Sequence, residues 1–91
     1  MDNAAKLKMM EKMLREIEDI THSQTSLLKK IAQLEADNIN LGNRHLEKRL
    51  PDMHEKVDES LTEANALLTE FQELKNKFVI DNKLEEVLPE A

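Results

Sequence analysis

A heptad pattern of apolar residues fills the first half of the chain and is interrupted between Gly42, its only glycine, and Pro51. If Met10 is position a, five consecutive d positions are apolar, which predicts a coiled-coil helix. The a positions are Met10, Ile17, Gln24, Ile31 and Asn38, and the d positions are Met13, Ile20, Leu27, Leu34 and Leu41. This repeat predicts an all-α fold.

A second apolar series begins where the first one ends. Its spacing of three and four residues is again helical, and it contains Leu46, Leu50, Met53, Val57, Leu61, Ala64, Leu68 and Phe71, with Leu67, Leu74 and Phe78 alongside. In the first register, Leu46 and Met53 would occupy position b and Leu50 position f. A straight helix would therefore present apolar surface on opposite faces in its two halves.

Two geometries resolve this change of face. The chain either forms one long coiled-coil helix with a kink, or breaks between Gly42 and Pro51 into a two-helix hairpin that brings both series inward. Pro51 disfavours helix at Leu50, although kinked helices tolerate a proline. Hairpin loops usually contain several turn-forming residues, and residues 43–50 contain few, so the sequence favours the kinked helix.

The last residues differ in character from the rest. We expect residues 1–80 to form the coiled-coil region, with its phase break at 42–51, and residues 81–91 to form an acidic, flexible tail. Asp81 and Asn82 suit a turn, residues 83–88 could form a short helical turn, and Pro89 would end it.

Gln24 and Asn38 are polar residues at positions that usually face a partner helix. A polar side chain there can fix the register and the choice of partner at some cost in stability. It can also simply reach water where the stripe is partly exposed. For Gln24 the sequence favours water; for Asn38 both interpretations stay open.

Composition excludes several classes of function. The net charge of -6 disfavours nucleic-acid binding, which needs a basic surface. The longest purely apolar run is the three residues 78–80, too short for membrane insertion. The absence of cysteine and of an apolar segment near the N-terminus leads us to expect a cytoplasmic or nuclear protein.

The sequence contains no pattern typical of an enzyme. His22, His45 and His54 are each isolated from other residues at metal-ligand spacing. One glycine cannot build a glycine-rich phosphate loop, and no serine has a base and an orienting group in a nucleophile pattern. We expect no catalysis, no metal or cofactor and no small-molecule substrate.

Several segments resemble one known family. "MLREIEDIT" (13–21), "LLKKIAQL" (27–34) and "RLPDM" (49–53), at these separations, resemble subunit 2 of the biogenesis of lysosome-related organelles complex. The similarity continues more loosely through "ALLTEFQELKNKF" (66–78) and covers residues 10–78 in all.

The resemblance implies a non-catalytic helical subunit of two hetero-octameric complexes. One acts in endosomal sorting towards lysosome-related organelles, and the other positions lysosomes from their cytosolic face. The expected partners are other short helical subunits. The predicted partner interface combines apolar residues of both series with one asparagine: Met10, Met13, Ile17, Ile20, Leu27, Ile31, Leu34, Asn38, Leu41, Leu46, Leu50, Met53, Val57, Leu61, Leu68, Phe71 and Phe78.

Three other functions remain open from the sequence. The chain could serve another scaffold of the same physical type, such as dynactin or a kinetochore complex. A helical secretion or assembly chaperone would be a self-contained hairpin with one exposed groove. A membrane-surface helix is disfavoured because the methionine-rich N-terminal stretch has no aromatic residue.

Overall fold

The computed structural model describes residues 1–84, which form two long helices. Helix α1 comprises Asn3–Leu41, and helix α2 comprises Arg44–Asp81. They pack against each other as an antiparallel hairpin measuring 61 × 20 × 20 Å. A single helix of the same residues would be about 120 Å long at 1.5 Å per residue. The all-α prediction is confirmed.

Of the two geometries, the chain adopts the hairpin rather than the favoured kinked helix. The reason lies in the turn, which needs only Gly42 and Asn43. Gly42 has φ 70°, a left-handed conformation that glycine adopts without steric cost, and its N–H donates to the Asn38 carbonyl at 2.7 Å. Asn43 is extended, and its side-chain oxygen accepts from the Leu46 N–H at 3.0 Å, which starts α2.

Asn38 closes the turn from within α1. Its side-chain oxygen accepts from the backbone N–H of Asn43, and its side-chain nitrogen donates to the Asn43 carbonyl, both at 3.0 Å. These bonds satisfy backbone groups that a longer loop would expose to water. A buried asparagine thus replaces the additional turn-forming residues whose absence disfavoured a hairpin in the sequence.

Pro51 lies inside α2, one residue after the buried Leu50, and does not break the helix. The change of direction occurs instead at Gly42, where the backbone enters the left-handed region. Pro51 has no N–H to donate to the Glu47 carbonyl, so α2 lacks one bond of its ladder here.

The hairpin interior is a narrow row of side chains between the helices. Its buried apolar members are Leu7, Leu14, Ile31, Leu50, Ala64, Val79 and Leu84. Thr21 and Asn38 are buried too, and within residues 1–84 every buried side-chain nitrogen or oxygen has a hydrogen-bond partner. Two helices enclose few side chains completely, so most interior residues are only half-buried.

The open end of the hairpin is also closed by contacts. Leu7, Val79 and Leu84 form a small apolar cluster with Phe78 beside it. Asn3 donates to the side-chain oxygen of Asn82 at 3.0 Å, which ties the start of α1 to the end of α2. Most of the predicted helical turn at 83–88 and of the acidic tail lies outside the described residues.

Candidate helix-binding face

Twelve large apolar side chains are exposed within residues 1–84, and eight of them, spread over both helices, form one row along the hairpin. We call them the outer stripe: Met13, Ile20, Leu27, Leu34 and Leu41 on α1, and Met53, Leu67 and Leu74 on α2. Their exposed fractions range from 41% for Leu27 to 72% for Leu41. Surface apolar residues are common singly, but a regular row of this length makes this face the candidate interaction surface.

The members of the outer stripe follow interior residues at a constant interval. On α1, Met13 comes three positions after the half-buried Met10, and Leu34 three after the buried Ile31. On α2, Met53 comes three positions after the buried Leu50. Because a fixed number of residues along a helix is a fixed rotation around its axis, the stripe residues of both helices point at the same angle from the interior.

The same angle on two antiparallel helices is the same face of the hairpin. An antiparallel pair has an approximate two-fold axis perpendicular to the plane of its helices, and this axis exchanges the helices without exchanging the faces. Two cross-helix contacts give the pairing: Asn3 with Asn82 and Glu35 with His54, whose residue numbers add to 85 and 89.

This pairing places stripe residues of the two helices side by side. The neighbouring pairs are Met13 with Leu74, Ile20 with Leu67, and Leu34 with Met53; Leu27 lies beside Ser60. The outer stripe is therefore one continuous apolar band that crosses both helices, with half-buried interior residues at its floor.

The opposite face of the hairpin is polar. Exposed residues one position after the interior rows include Glu18 and Thr25 on α1, and Asp58 and Asn65 on α2. Towards the turn this face holds the exposed Ile39, at the edge of an open cavity of about 330 Å³ that Leu46 and Pro51 also line. The large apolar surface is thus concentrated on one side.

The structure divides the predicted interface residues into three groups. Ile31, Asn38 and Leu50 are buried between the helices. Half-buried at the interior are Met10, Ile17, Leu46, Val57, Leu61, Leu68, Phe71 and Phe78. Exposed in the outer stripe are Met13, Ile20, Leu27, Leu34, Leu41 and Met53. Only the last group is freely available to another molecule.

Leu67 and Leu74 belong to the outer stripe but not to the predicted interface. The signal for them was their spacing of fourteen and twenty-one residues from Met53, both multiples of seven. The sequence did not reveal this spacing as a separate row, because Leu67 and Leu74 lie beside a series that was expected to face a partner. On α1, the interior uses positions a and e, with Leu14 buried, rather than a and d.

No reactive constellation is present within residues 1–84. His54 is the histidine closest to a carboxylate, with its Nδ1 3.9 Å from Glu35 Oε1, and both side chains are substantially exposed. No group of three or more His, Asp or Glu side chains in this part of the chain could hold a metal ion. Neither helix is long and apolar enough to cross a membrane.

No family model matches the chain, and no curated protein or solved structure is significantly similar to it.

Proposed function

We propose that this protein is a non-catalytic structural subunit of a heteromeric coiled-coil complex. The observation that carries the proposal is the outer stripe, a continuous apolar band on one face of the hairpin. Partner helices laid along it would bury side chains such as Leu27 and Leu34. Burial of exposed leucine and methionine contributes about 1.5–3 kcal/mol per fully buried side chain.

The shape of the band favours helices as partners. It is long and narrow, and its residues recur every seven positions, which matches the spacing of knobs that enter holes on a facing helix. The hairpin would contribute two helices to a bundle of four or more. Other short helical proteins are therefore the proposed partners.

A substitution in the stripe tests this proposal. We expect Leu34→Asp to leave the hairpin folded, because Leu34 is 49% exposed, and to remove bound helical partners, because a charge without a partner is costly to bury. Ala32→Asp, on the exposed part of the opposite face, is the matched control and should retain them.

The measurement is affinity purification of the tagged full chain, with circular dichroism to check the helix content of each variant. Other short helical proteins should be recovered in equal amounts with the parent chain and with Ala32→Asp. Equal recovery with Leu34→Asp would show that the stripe is not the interface. Leu68→Asp should instead lower the melting temperature, since Leu68 is half-buried between the helices.

The finer part of the proposal is a role in endosome and lysosome sorting and in lysosome positioning, on the cytosolic face of these organelles. It rests on the resemblance of residues 10–78 alone. A fluorescently tagged chain should then co-localise with a lysosomal membrane marker. A diffuse distribution, or one at kinetochores, would favour a different scaffold of the same physical type.

A helical assembly chaperone is the second candidate, and one observation favours it. The chain is a hairpin closed at both ends, with one exposed apolar face, which is the architecture that such a chaperone needs. A chaperone releases its client, whereas a subunit keeps its partners. Pulse–chase purification separates the two: recovered partners stay constant for a subunit and decline for a chaperone.

A further inference from the structure

We propose that a second copy of this chain covers the outer stripe, packed antiparallel to the first, so that two hairpins form a four-helix bundle. This inference rests on the proposed function, because it assigns one occupant to the same face. In the chain alone the second copy covers the stripe, and a heteromeric partner would take its place there.

The first argument is the size of the face. From Met13 to Leu34, the part that the second copy covers with its own stripe, the stripe spans about 32 Å at 1.5 Å per residue, and the hairpin is 20 Å wide. The face therefore offers about 630 Å² per copy, which is at the lower end of the area that each partner contributes to a stable interface of standard size.

The second argument is the order of charges beside the stripe. Residues three positions after the stripe positions lie along its outer edges, and we call them the rim. The rim consists of Glu16, Ser23, Lys30 and Asp37 on α1, and of Arg49, Lys56, Glu63, Glu70 and Lys77 on α2, all exposed.

The rim is divided into an acidic and a basic zone. By the pairing of the two helices, Glu16 lies level with Glu70, and Ser23 with Glu63. Closer to the turn, Lys30 lies level with Lys56. Between these levels the acidic zone is thus on the side of the open end and the basic zone on the side of the turn, while Lys77 lies beyond the acidic zone and Asp37 beyond the Lys30 and Lys56 pair.

The two zones are complementary to themselves in an antiparallel dimer. Glu16 and Lys30 are each seven residues from Ser23, while Lys56 and Glu70 are each seven from Glu63. A two-fold axis at the level of Ser23 and Glu63 places Glu16 of one copy beside Lys30 of the other. It likewise places Lys56 beside Glu70, which gives four opposite-charge pairs in the dimer.

The same axis also creates less favourable neighbours. Glu63 meets its own copy, Arg49 lies near Lys77, and Asp37 gains no opposite charge. These residues are exposed at the rim, where solvent screens like charges. The four favourable pairs lie beside the stripe's apolar contacts, in which Ile20 would face Leu27 of the other copy.

A parallel dimer would reverse the balance. With both turns at the same end, α1 of one copy lies over α2 of the other, so Glu16 meets Glu70 and Lys30 meets Lys56. Four like-charge pairs then replace the four opposite-charge pairs, and only Asp37 with Arg49 becomes favourable. Both arrangements bury the stripe from Met13 to Leu34, so the rim charges select the antiparallel one.

The test is the oligomeric state of the purified full chain and of its charge variants. We expect sedimentation equilibrium to give twice the 10.5 kDa mass of the single chain at concentrations of tens of micromolar. Lys56→Glu places a negative charge beside Glu70 at two symmetric sites and should raise the dimer dissociation constant about tenfold. Lys29→Glu, an exposed change on the far side of α1, is the matched control and should have no such effect.

The double variant Lys56→Glu with Glu70→Lys should restore the parent dissociation constant, because the pair is only exchanged. In a parallel dimer, Lys56→Glu would instead face Lys30 and strengthen association. Stronger association, an unchanged constant or a monomeric parent chain would each overturn the proposal.

The test of the dimer can fail without the test of the heteromeric subunit failing, and the reverse. A monomeric chain that recovers other helical proteins in equal amounts overturns the dimer and leaves the subunit role standing. A dimer that recovers no other helical protein supports this inference and contradicts the heteromeric role.

Discussion

At the scale of single residues, Asn38 shows how a polar side chain can decide a fold. It is 8% exposed and sits at an a position, where the sequence left a role in partner choice and a contact with water equally open. The structure uses it for neither. Its amide binds both backbone groups of Asn43 and so permits a two-residue connection.

We expect Asn38→Ala to lower the free energy of unfolding by about 1–3 kcal/mol, because two backbone groups of Asn43 lose their partner. Asn40→Ala, at an exposed position two residues later, should change it by less than about 0.5 kcal/mol. The measurement is chemical denaturation at one protein concentration, since association shifts apparent stability. Equal effects of the two substitutions would mean that the Asn38 bonds do not stabilise the turn.

The role of Asn38 in the turn also shows why the hairpin was hard to predict. Gly42 and Asn43 were visible in the sequence as turn-forming residues, and the α-helical character of both halves followed from their periodicity. The bond between Asn38 and Asn43 depends on the direction in which the chain turns, which a one-dimensional pattern does not contain. Propensity alone therefore favoured continued helix through residues 43–50.

At the scale of the helices, the buried residues of α1 do not form a single row. Interior residues recur about every seven positions, but on α1 the buried set moves from Leu7, Leu14 and Thr21 to Ile31 and Asn38. The second set lies on the neighbouring a line of the helix surface, so the a and the e line both border the interior. The heptad assignment predicted the helix correctly, but not which of its residues face the hairpin interior.

Pro51 is the least favourable residue of α2. In a helix interior, proline is about 3 kcal/mol less favourable than alanine. We expect Pro51→Ala to raise the free energy of unfolding by about 1–3 kcal/mol, because it restores a donor for the Glu47 carbonyl while increasing the freedom of the unfolded chain. Glu55→Ala, in the same exposed stretch of α2, is the control and should stay near the parent value. A loss of stability in Pro51→Ala would indicate that the ring makes contacts at the turn which outweigh the missing bond.

At the scale of the whole molecule, the hairpin changes what the apolar residues can do. The sequence predicted two apolar stripes on opposite faces of a long helix, each covered by partner helices. In the structure, much of both series packs internally, with Leu50 and Ile31 buried, and eight of the twelve exposed large apolar residues lie on one face. The exposed apolar face has fewer residues than the predicted interface, and it includes Leu67 and Leu74, which that set omitted.

Two distances distinguish the hairpin from a continuous helix, that from residue 12 to residue 76 and that from residue 12 to residue 55. The first is the shorter in the hairpin and the longer in a continuous helix. The sequence has no cysteine, so pairs of cysteines introduced at exposed positions can carry spin labels without interference. In the hairpin, residue 12 lies nearly level with residue 76 and about 30 Å along the axis from the level of residue 55. In a continuous helix, residue 76 would be about 96 Å from residue 12 and residue 55 about 65 Å.

We therefore expect pulsed electron paramagnetic resonance to give a shorter distance for Lys12→Cys with Asn76→Cys than for Lys12→Cys with Glu55→Cys. All three positions are exposed and point away from the helix interface, so the labels should not disturb packing. Dilution with unlabelled chain removes distances between copies and leaves those within one hairpin. The reverse order would contradict the hairpin, and with it the single apolar face, because a continuous helix separates Met13 and Leu74 by its length.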